Sequence, residues 1–388
     1  MIGFIIGVAI FGAWSFYIVN VINKLVFKTL KFTEKLDPNL EERFKPFERF
    51  ERKQWNIKEM YFCGIFLLPL RVATVMVVMI ILTLFLFVLV GFKPNAHKEE
   101  YPTWKRNSIV YVSRVIARII LYCCGIYWIE KKNAQIQDYD KDYPLSNNLH
   151  SGKSNRPPII VSNHVTWIDI MYYCSCSHFP SYLSKKEVQN IPFFGAAAKA
   201  FQCIFVDRES NENKHEVRDA IRARGEAIKE GKNFPPIVIF PEGTTSNGTH
   251  LISFKKGAFE NLLPVKIFCL QYPIRHMNVA LDVLGQGINV LLVFLQLKNN
   301  LTVTEFNTYY PDHLNLSHED EESWKIYARK VKDIMLAAMP EKKNSESGFR
   351  DVKEYENIIF QTKKDKKNKT KETATSTETE GNQNKKED

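Results

Sequence analysis

The stretch VSNHVTWIDIMY, Val161 to Tyr172, places a histidine and an aspartate five residues apart. Five steps of about 100° around a regular helix separate two side chains by about 140°, so His164 and Asp169 meet only if the chain bends between them. A carboxylate that reaches one imidazole nitrogen fixes the tautomer and leaves the other nitrogen to accept a proton from a hydroxyl. The pair is therefore a candidate general base with its orienting group, although a pair at this spacing is more often a solvated loop histidine beside a capping aspartate.

The flanking residues predict the bend that the pair requires. PPIIVSN is typical of a short strand that two prolines open, and TWIDIMYYCS is typical of a helix with Thr166 or Asn163 as its N-cap. We therefore expect His164 on a strand-to-helix turn and Asp169 in the first helical turns.

Two further stretches carry residue types that bind phosphate or glycerol oxygens. FPEGTTSNG follows the apolar run PIVIF and offers a carboxylate, glycines and hydroxyls, here Glu242, Gly243, Thr244 and Thr245. FFGAAAKAFQCIFVDRES ends in Asp-Arg, where the guanidinium of Arg208 is able to hold a phosphate with two parallel hydrogen bonds. Each stretch alone is more often a turn or a surface ion pair.

Strand-like and helix-like runs alternate from the histidine motif to about Pro340, which predicts an α/β domain with a central mixed sheet covered by helices. The three stretches each follow a predicted strand. Because ligands bind at the carboxyl ends of strands in open α/β sheets, their order favours one common site over three unrelated turns. Lys255 and Lys256 are expected near the glycine-containing loop.

Two apolar segments at the amino-terminal end favour a membrane protein. Met1 to Val26 has one charge, Lys24, and its basic residues follow the apolar part, which is typical of an anchor rather than a cleaved signal peptide. Val72 to Phe92 is a 21-residue run without charge, long enough to cross a hydrocarbon layer of about 30 Å. Pro69 and Arg71 precede it, so a kinked helix and a re-entrant hairpin both fit, and we prefer the hairpin.

These patterns divide the chain into four parts. An anchor with a basic linker (1–60) precedes a membrane hairpin or kinked helix (61–104), a catalytic α/β domain (105–340) and a polar, largely disordered tail (341–388). From Thr362 onward the tail has eight lysines and six acidic residues, with Ala374 as its one apolar residue, so it cannot bury a core.

Composition narrows the class of function. The net charge of +10 together with the apolar segments favours an anionic membrane surface over nucleic acid, for which no aromatic-basic module is present. The seven cysteines include no C-x-x-C pair, so neither a disulfide framework nor a zinc site is expected. The sequence also lacks the G-x-S-x-G, P-loop and G-x-G-x-x-G motifs. A base with phosphate binders but no nucleophile suits direct acyl transfer from a thioester to an alcohol.

Four stretches in this order, NHVTWID, GAAAKAFQCIFVDR, FPEGTT and LLPVKIFCLQYP, resemble the motif blocks of the glycerolipid acyltransferases. The similarity spans roughly Arg106 to Pro340. Within that family the flanks most resemble the lysophosphatidylcholine and lysophosphatidylethanolamine acyltransferases.

The resemblance implies a role for each motif residue. His164 would deprotonate the glycerol hydroxyl, Asp169 would orient it, and Arg208 with the loop of Glu242, Gly243, Thr244 and Thr245 would bind the phosphate and glycerol. Acyl-CoA would be the co-substrate and a lysophospholipid the acceptor, with no metal and no bound cofactor. A lysophosphatidic acid acyltransferase and a catalytically silent lipid-binding membrane protein are the alternatives.

The terminal residues KKED resemble a di-lysine endoplasmic-reticulum retrieval signal. Such a signal works only from the cytosol, and basic linkers stay cytoplasmic. An anchor followed by a hairpin keeps the catalytic domain with the basic linker. We therefore expect an endoplasmic-reticulum membrane protein whose catalytic domain faces the cytosol.

Overall fold

The computed structural model describes residues 2–33, 41–91, 98–135, 156–191, 194–206, 213–317, 320 and 322–359. The strands are, in chain order, β1 (Ile129–Ala134), β2 (Ile159–Ser162), β3 (Ser181–Lys185), β4 (Ile204–Val206), β5 (Ile237–Ile239), β6 (His250–Leu251), β7 (Val265–Gln271), β8 (Leu301–Tyr309) and β9 (Lys343–Asn344). The helices are α1 (Ile2–Thr33), α2 (Ile57–Phe62), α3 (Leu68–Val90), α4 (Thr103–Cys123), α5 (Ile168–Ser175), α6 (Phe194–Ala200), α7 (Asn213–Lys229), α8 (Gln286–Phe294), α9 (Ser323–Ala338) and α10 (349–359).

Seven strands form the central sheet in the order β1-β8-β7-β2-β5-β3-β4. Neighbouring strands are parallel except β7 and β8, which are antiparallel. The predicted mixed sheet in an α/β fold is thereby confirmed. A small parallel ladder of β6 and β9 lies apart from it.

Alternating side chains of the central strands supply two apolar cores, one on each face of the sheet. Ile160 of β2 belongs to the core beneath α3, α4, α5 and α8, whereas Val161 belongs to the core beneath α7 and α9. Both residues are fully buried. A strand buried on both faces has to be apolar at successive positions, which is why PIIV and PIVIF contain no alternation of polar residues.

Helices α2 and α3 form one helical run, Ile57–Val90, joined by a π-helical segment at Cys63–Leu67. The preferred hairpin is therefore wrong. Pro69 does not break the helix because it lies in the first turn of α3, where its missing N–H needs no partner. Arg71 is buried and donates to the carbonyls of Phe294 and Gln296 at the carboxyl end of α8, each at 2.7 Å. An arginine there caps the helix and complements its dipole.

Helix α1 packs against the π-helical segment. The indole Nε1 of Trp14 donates to the Ile65 carbonyl at 3.1 Å. A Cβ at Gly64 would lie 3.0 Å from Ile22 and 3.1 Å from Ile18, so glycine permits this approach. Both α1 and the α2–α3 run are long and apolar enough to cross a membrane.

Residues 41–56, which we call the strap, contain two 3₁₀ turns and lie on the catalytic domain rather than apart from it. Arg49 of the strap is 4% exposed and forms ion pairs with Asp282 and, at 2.6 Å, with Glu51. The sequence had placed these residues in a linker outside the domain. Their structure depends on long-range pairs that a local pattern does not contain.

The folded part of the chain continues past the predicted boundary at residue 340. Strand β9 pairs with β6, and Tyr355 of α10 is 1% exposed against the strap residue Phe44. The predicted boundary therefore lies too early. Residues 360–388, where we expect disorder, lie outside the described residues.

Candidate active site

Three adjacent strands of the central sheet end at one site. Strand β2 lies between β7 and β5 and is parallel to both. His164 follows β2, Glu242 follows β5 and Tyr272 follows β7. Because parallel strands point the same way, the turns that follow them meet at one edge of the sheet, the place where such folds bind ligands. We call His164, Asp169, Glu242 and Tyr272 the catalytic cluster.

The structure brings His164 and Asp169 together across the predicted turn. The imidazole Nδ1 lies 2.8 Å from Asp169 Oδ2. The same oxygen accepts the backbone N–H groups of Val165 and Thr166 at 2.8 and 3.0 Å, and Asp169 is fully buried. The Asp169 carboxylate thus closes the turn by accepting two of its backbone N–H groups, and it fixes the orientation of the His164 ring through one hydrogen bond.

The two N-caps expected from the sequence are wrong, because the N-cap of α5 is Trp167, which forms no side-chain capping hydrogen bond. Asn163 instead bridges β2 to β7, accepting from the Leu270 N–H and donating to the Leu270 carbonyl, each at 2.8 Å. The Thr166 hydroxyl has no hydrogen-bonding partner within the described part of the chain. The bridge from Asn163 to Leu270 holds the end of β2, and with it His164, in register with the end of β7.

Tyr272 is a member of the cluster that sequence reasoning missed. Its hydroxyl donates to Asp169 Oδ1 at 2.6 Å. Burial, together with the Asp169 charge, holds the pKa of Tyr272 well above its usual value, so the hydroxyl keeps its proton. The available signal was its position directly after β7, but that strand's place beside β2 is not visible in the sequence.

The imidazole of His164 stacks on Phe240, with ring centroids 4.1 Å apart and planes 14° apart. Its side chain is 20% exposed, and none of the described residues bonds Nε2. A neutral ring that donates through Nδ1 presents Nε2 as a proton acceptor. The geometry is therefore that of a general base whose accepting atom is available to a substrate hydroxyl.

Glu242 positions the histidine backbone. Its two carboxylate oxygens accept the N–H of His164 at 2.8 Å and the N–H of Ile252 at 3.2 Å, and the residue is 1% exposed. Burial raises the pKa of Glu242, while Lys342 lowers it by its charge. The sequence had left open whether Glu242 touches substrate or braces its loop, and these contacts make it a brace.

The loop that follows Glu242 is held by backbone contacts. Gly243 has a φ of +68°, and a Cβ there would lie 2.9 Å from the side chain of Lys255, which places that lysine against the loop as expected. The Thr245 hydroxyl donates to the Leu281 carbonyl at 2.9 Å, so it fastens the loop to residues 278–285. Thr244 lies between Gly243 and Thr245 in the chain, and its side chain is partly exposed.

Asp207 and Arg208 lie outside the described residues. Strand β4, which ends at Val206, is the edge strand of the sheet and is separated from β2 by β5 and β3. The role of Arg208 in binding a phosphate stays a prediction.

The described residues contain no group of three metal-ligating side chains. Cys174 and Cys176, from the CSCSH stretch, are both buried in the core, where burial raises the pKa of each thiol. They pack among apolar side chains as free cysteines commonly do.

The chain is similar to known acyltransferases. Residues 142–276 match the family model described as Acyltransferase. The chain is 34% identical over 252 residues to Lysophospholipid acyltransferase LPEAT1 of Arabidopsis thaliana, covering 62% of this chain and 60% of the relative. It is 26% identical over 300 residues to Lysophospholipid acyltransferase LPCAT4 of Xenopus tropicalis, covering 76% of this chain and 53% of the relative.

The chain spans about half the length of the curated relatives it matches. A solved structure, the 1-acyl-sn-glycerophosphate (LPA) acyltransferase PlsC from Thermotoga maritima, is similar with a TM-score of 0.40 at 14% identity, covering 67% of this chain and 95% of that chain.

Proposed function

We propose that the protein transfers a fatty acyl group from acyl-CoA to the free hydroxyl of a lysophospholipid, with lysophosphatidylcholine or lysophosphatidylethanolamine as the acceptor. The match of residues 142–276 to the Acyltransferase family model supports this type of reaction. The observation that carries the proposal is the imidazole of His164, whose Nδ1 is bonded to a buried carboxylate while Nε2 is left to a substrate. The relatives named as lysophospholipid acyltransferases support the class of acceptor.

The reaction needs one base and no protein nucleophile. His164 Nε2 takes the proton of the acceptor hydroxyl as its oxygen attacks the thioester carbonyl. The tetrahedral intermediate then expels coenzyme A as a thiolate, and the imidazolium returns the proton to that sulfur. Asp169 stabilises the positive ring while it exists, and its four hydrogen bonds hold the carboxylate in place.

Binding of the acceptor is assigned to the loop after β5. In this proposal Arg208 holds the head-group phosphate, and Gly243 and Thr244 approach the glycerol through backbone N–H and hydroxyl groups. Glu242 and Thr245 hold the loop that presents them. The reaction uses no metal and no bound cofactor.

The position of the strap supports one proposed arrangement in the membrane. Arg49 of the strap pairs with Asp282 of the domain, so both lie on the same side of a membrane. The α2–α3 run connects the strap to the domain, and a helix whose two ends lie on the same side of a membrane does not span that membrane. We therefore place α1 across the membrane as the candidate span and the α2–α3 run in the membrane surface. The outer face of α3 carries exposed apolar residues such as Met76, Ile80 and Val88, which suit a position in the membrane surface. We propose the endoplasmic reticulum, with the strap and domain in the cytosol.

A competition assay tests the function. The purified, detergent-solubilised protein receives one labelled acyl-CoA and equal amounts of lysophosphatidate, lysophosphatidylcholine and lysophosphatidylethanolamine, and the labelled products are separated. We expect label in phosphatidylcholine or phosphatidylethanolamine from the wild type and none from His164→Ala. His178→Ala is the matched control, because His178 bonds Glu305 rather than the catalytic cluster, and it should retain activity.

Each other outcome rejects part of the proposal. Preferential label in phosphatidate would make the protein a lysophosphatidic acid acyltransferase. Full activity of His164→Ala would remove the base assignment. An absence of labelled product with every acceptor would leave a lipid-binding protein without this activity.

A further inference from the structure

A cavity of about 300 Å³ lies beside the catalytic cluster, and its wall includes Val165 and Tyr272. Both of these residues bond the carboxylate of Asp169, the Val165 N–H at 2.8 Å and the Tyr272 hydroxyl at 2.6 Å. Val165 also follows His164 directly in the chain. A ligand in this cavity therefore lies next to the proposed base.

The wall of the cavity carries two opposite charges. Glu341 and Lys342, which precede β9, both line it, and Lys342 is 7% exposed. The Lys342 ammonium forms no hydrogen bond or ion pair with any residue that the structure describes, its neighbour Glu341 included. An ammonium buried to this degree is costly unless an anion bonds it. Lys342 is therefore suited to an anionic group that enters the cavity.

Most neutral polar groups of the wall are committed to other protein groups. The Asn278 amide donates to the Asn247 carbonyl at 2.7 Å, and the Asn247 side chain accepts from Thr249 Oγ1 at 2.6 Å. Gln271 differs, because its Nε2 donates to Glu341 Oε1 at 2.5 Å while none of the described residues bonds Gln271 Oε1 or Glu341 Oε2. The wall thus offers a ligand one ammonium and two acceptor oxygens.

This combination fits a zwitterion, namely a phosphate that is linked to a primary ammonium. The phosphate suits Lys342 through a charge-assisted hydrogen bond, and an ammonium with three N–H donors suits the free oxygens of Glu341 and Gln271. A trimethylammonium group has no donor and is bound by aromatic faces, of which the described wall has one, at Tyr272.

The size of the cavity and its negative charge restrict the ligand further. A volume of about 300 Å³ is at the small end of ligand sites, so the cavity has room for a head group rather than for a whole lipid. A phosphate monoester without an ammonium would bring a second negative charge toward the Glu341 carboxylate and leave that carboxylate unpaired, which disfavours lysophosphatidate.

We propose that this cavity is the head-group site of the acceptor, in which Lys342 binds the phosphate and Glu341, together with Gln271, binds the primary ammonium of a phosphoethanolamine group. The inference rests on the proposed function for the identity of the acceptor, and it ranks lysophosphatidylethanolamine above lysophosphatidylcholine and lysophosphatidate. A phosphodiester has two unesterified oxygens, so the bond to Lys342 leaves one for the contact proposed for Arg208.

Glu341→Gln tests the ammonium contact, because it removes the charge and keeps the shape of the side chain. In the competition assay we expect the ratio of kcat/KM for lysophosphatidylethanolamine to that for lysophosphatidate to fall about tenfold, since the ammonium loses a charged partner. Glu346→Gln is the matched control, because Glu346 lies in the same segment, is 87% exposed and is not part of the wall. It should keep the wild-type ratio. An unchanged ratio in Glu341→Gln would overturn the proposal.

Lys342→Met tests the phosphate contact. We expect the KM for lysophosphatidylethanolamine to rise about tenfold, while kcat and the KM for acyl-CoA stay within about twofold of the wild type. Lys343→Met is the control, because Lys343 is the adjacent residue, is exposed and lies outside the wall. A fall in kcat with both KM values unchanged would reject the phosphate contact. Should Lys342→Met fail to fold, the ratio measured in Glu341→Gln decides.

Binding of a soluble head group gives a readout that does not need activity. The probe is sn-glycero-3-phosphoethanolamine, added to the full-length protein in detergent and followed by saturation-transfer NMR. We expect a signal with the wild type and Glu346→Gln, and a weaker one with Glu341→Gln. Equal signals from all three would reject the inference. A wild type that shows this pattern but transfers no acyl group would reject the proposed function alone.

Discussion

Among the residues that the structure describes, carboxylates are buried in two places, and the two places differ in what surrounds the charge. Where the strap meets the domain, Glu51 and Asp282 face the guanidinium of Arg49, which also donates to the carbonyls of Asn278 and Ala280 at 3.2 Å. In the catalytic cluster, Asp169 faces neutral donors, namely two backbone amides, a tyrosine hydroxyl and an imidazole.

The difference separates stability from reactivity. A permanent cation such as the Arg49 guanidinium neutralises the carboxylates beside it and does not give up its charge by losing a proton. Neutral donors hold Asp169 without neutralising it, so its charge remains available to stabilise an imidazolium at His164. The strap also contacts residues 278–282, whose Leu281 accepts from Thr245 and donates to Val165 at 2.9 Å. The ion pairs of Arg49 therefore help to hold residues 278–282, which in turn contact the loop and the turn of the catalytic cluster.

The largest test of this contrast is Asp169→Asn. An amide cannot accept from both amides, the imidazole and the hydroxyl at once, and it leaves His164 in the wrong tautomer. We expect kcat to fall by about 10³ to 10⁴, and the melting temperature to fall as well because the bonds from the N–H groups of Val165 and Thr166 are weakened. Asp219→Asn, which changes an exposed aspartate of α7, should leave both unchanged. Retention of a tenth of the activity would mean that Asp169 only holds the turn together and does not orient the His164 ring for catalysis.

The second test is Arg49→Met, which leaves Glu51 and Asp282 buried without their cation. We expect a loss of about 3 to 5 kcal/mol in the free energy of unfolding, since breaking a buried pair on one side strands a charge. Arg43→Met is the control in the same strap. Arg43 bonds Glu354 at 2.7 Å but is 39% exposed, so we expect a much smaller loss of stability, because water screens the pair. Equal losses would show that the strap does not depend on its buried pair.

The local part of the catalytic cluster was predictable from the sequence, and the long-range part was not. A strand-to-helix turn was expected between His164 and Asp169, because the apolar run, the prolines and the spacing are all local. The brace of His164 by Glu242 spans 78 residues, and the bond from Tyr272 to Asp169 spans 103. These contacts depend on the strand order β7-β2-β5, which no local pattern specifies.

The fold shows the same division. The mixed sheet and its covering helices followed from alternation along the chain, whereas the hairpin at residues 61–104 was wrong. Arg71 looked like a break in an apolar segment. In the structure it is a helix cap for residues 294–297, and the carbonyls of Phe294 and Gln296 that it bonds lie more than 220 residues away in the chain. The burial of the strap and of Tyr355 was missed for the same reason.

The third test, Tyr272→Phe, removes one neutral donor from Asp169 and keeps the other three. A hydrogen bond to a charged group contributes about 1.5 to 3 kcal/mol, so we expect kcat to fall about tenfold, with little change in KM. Tyr182→Phe is the control, because that hydroxyl donates to the neutral carbonyl of Ile170 at 3.1 Å. It should cost some stability and no activity. Equal activity of the two variants would remove Tyr272 from the catalytic cluster.

The smallest test concerns Glu305, whose surroundings combine both kinds of partner. It accepts from His178 at 3.0 Å and from Lys266 at 2.7 Å, and its side chain is 29% exposed. The hydrogen bond from His178 is the main cause that lowers the pKa of Glu305 to about 2. Because the folded pKa lies below the ordinary value, the stabilisation is fully present above about pH 4.5 and is lost as the pH falls toward 2.

Glu305→Gln should therefore cost about 1 kcal/mol at pH 7, as a partly exposed pair does, and the difference from the wild type should shrink as the pH is lowered below 4. Thermal unfolding at pH 7, 4 and 3 measures it. Glu226→Gln is the control, since Glu226 pairs with Arg222 on the exposed face of α7 and should show little difference at any pH. A cost at Glu305 that stays constant from pH 7 to 3 would mean that packing, rather than charge, sets the stability there.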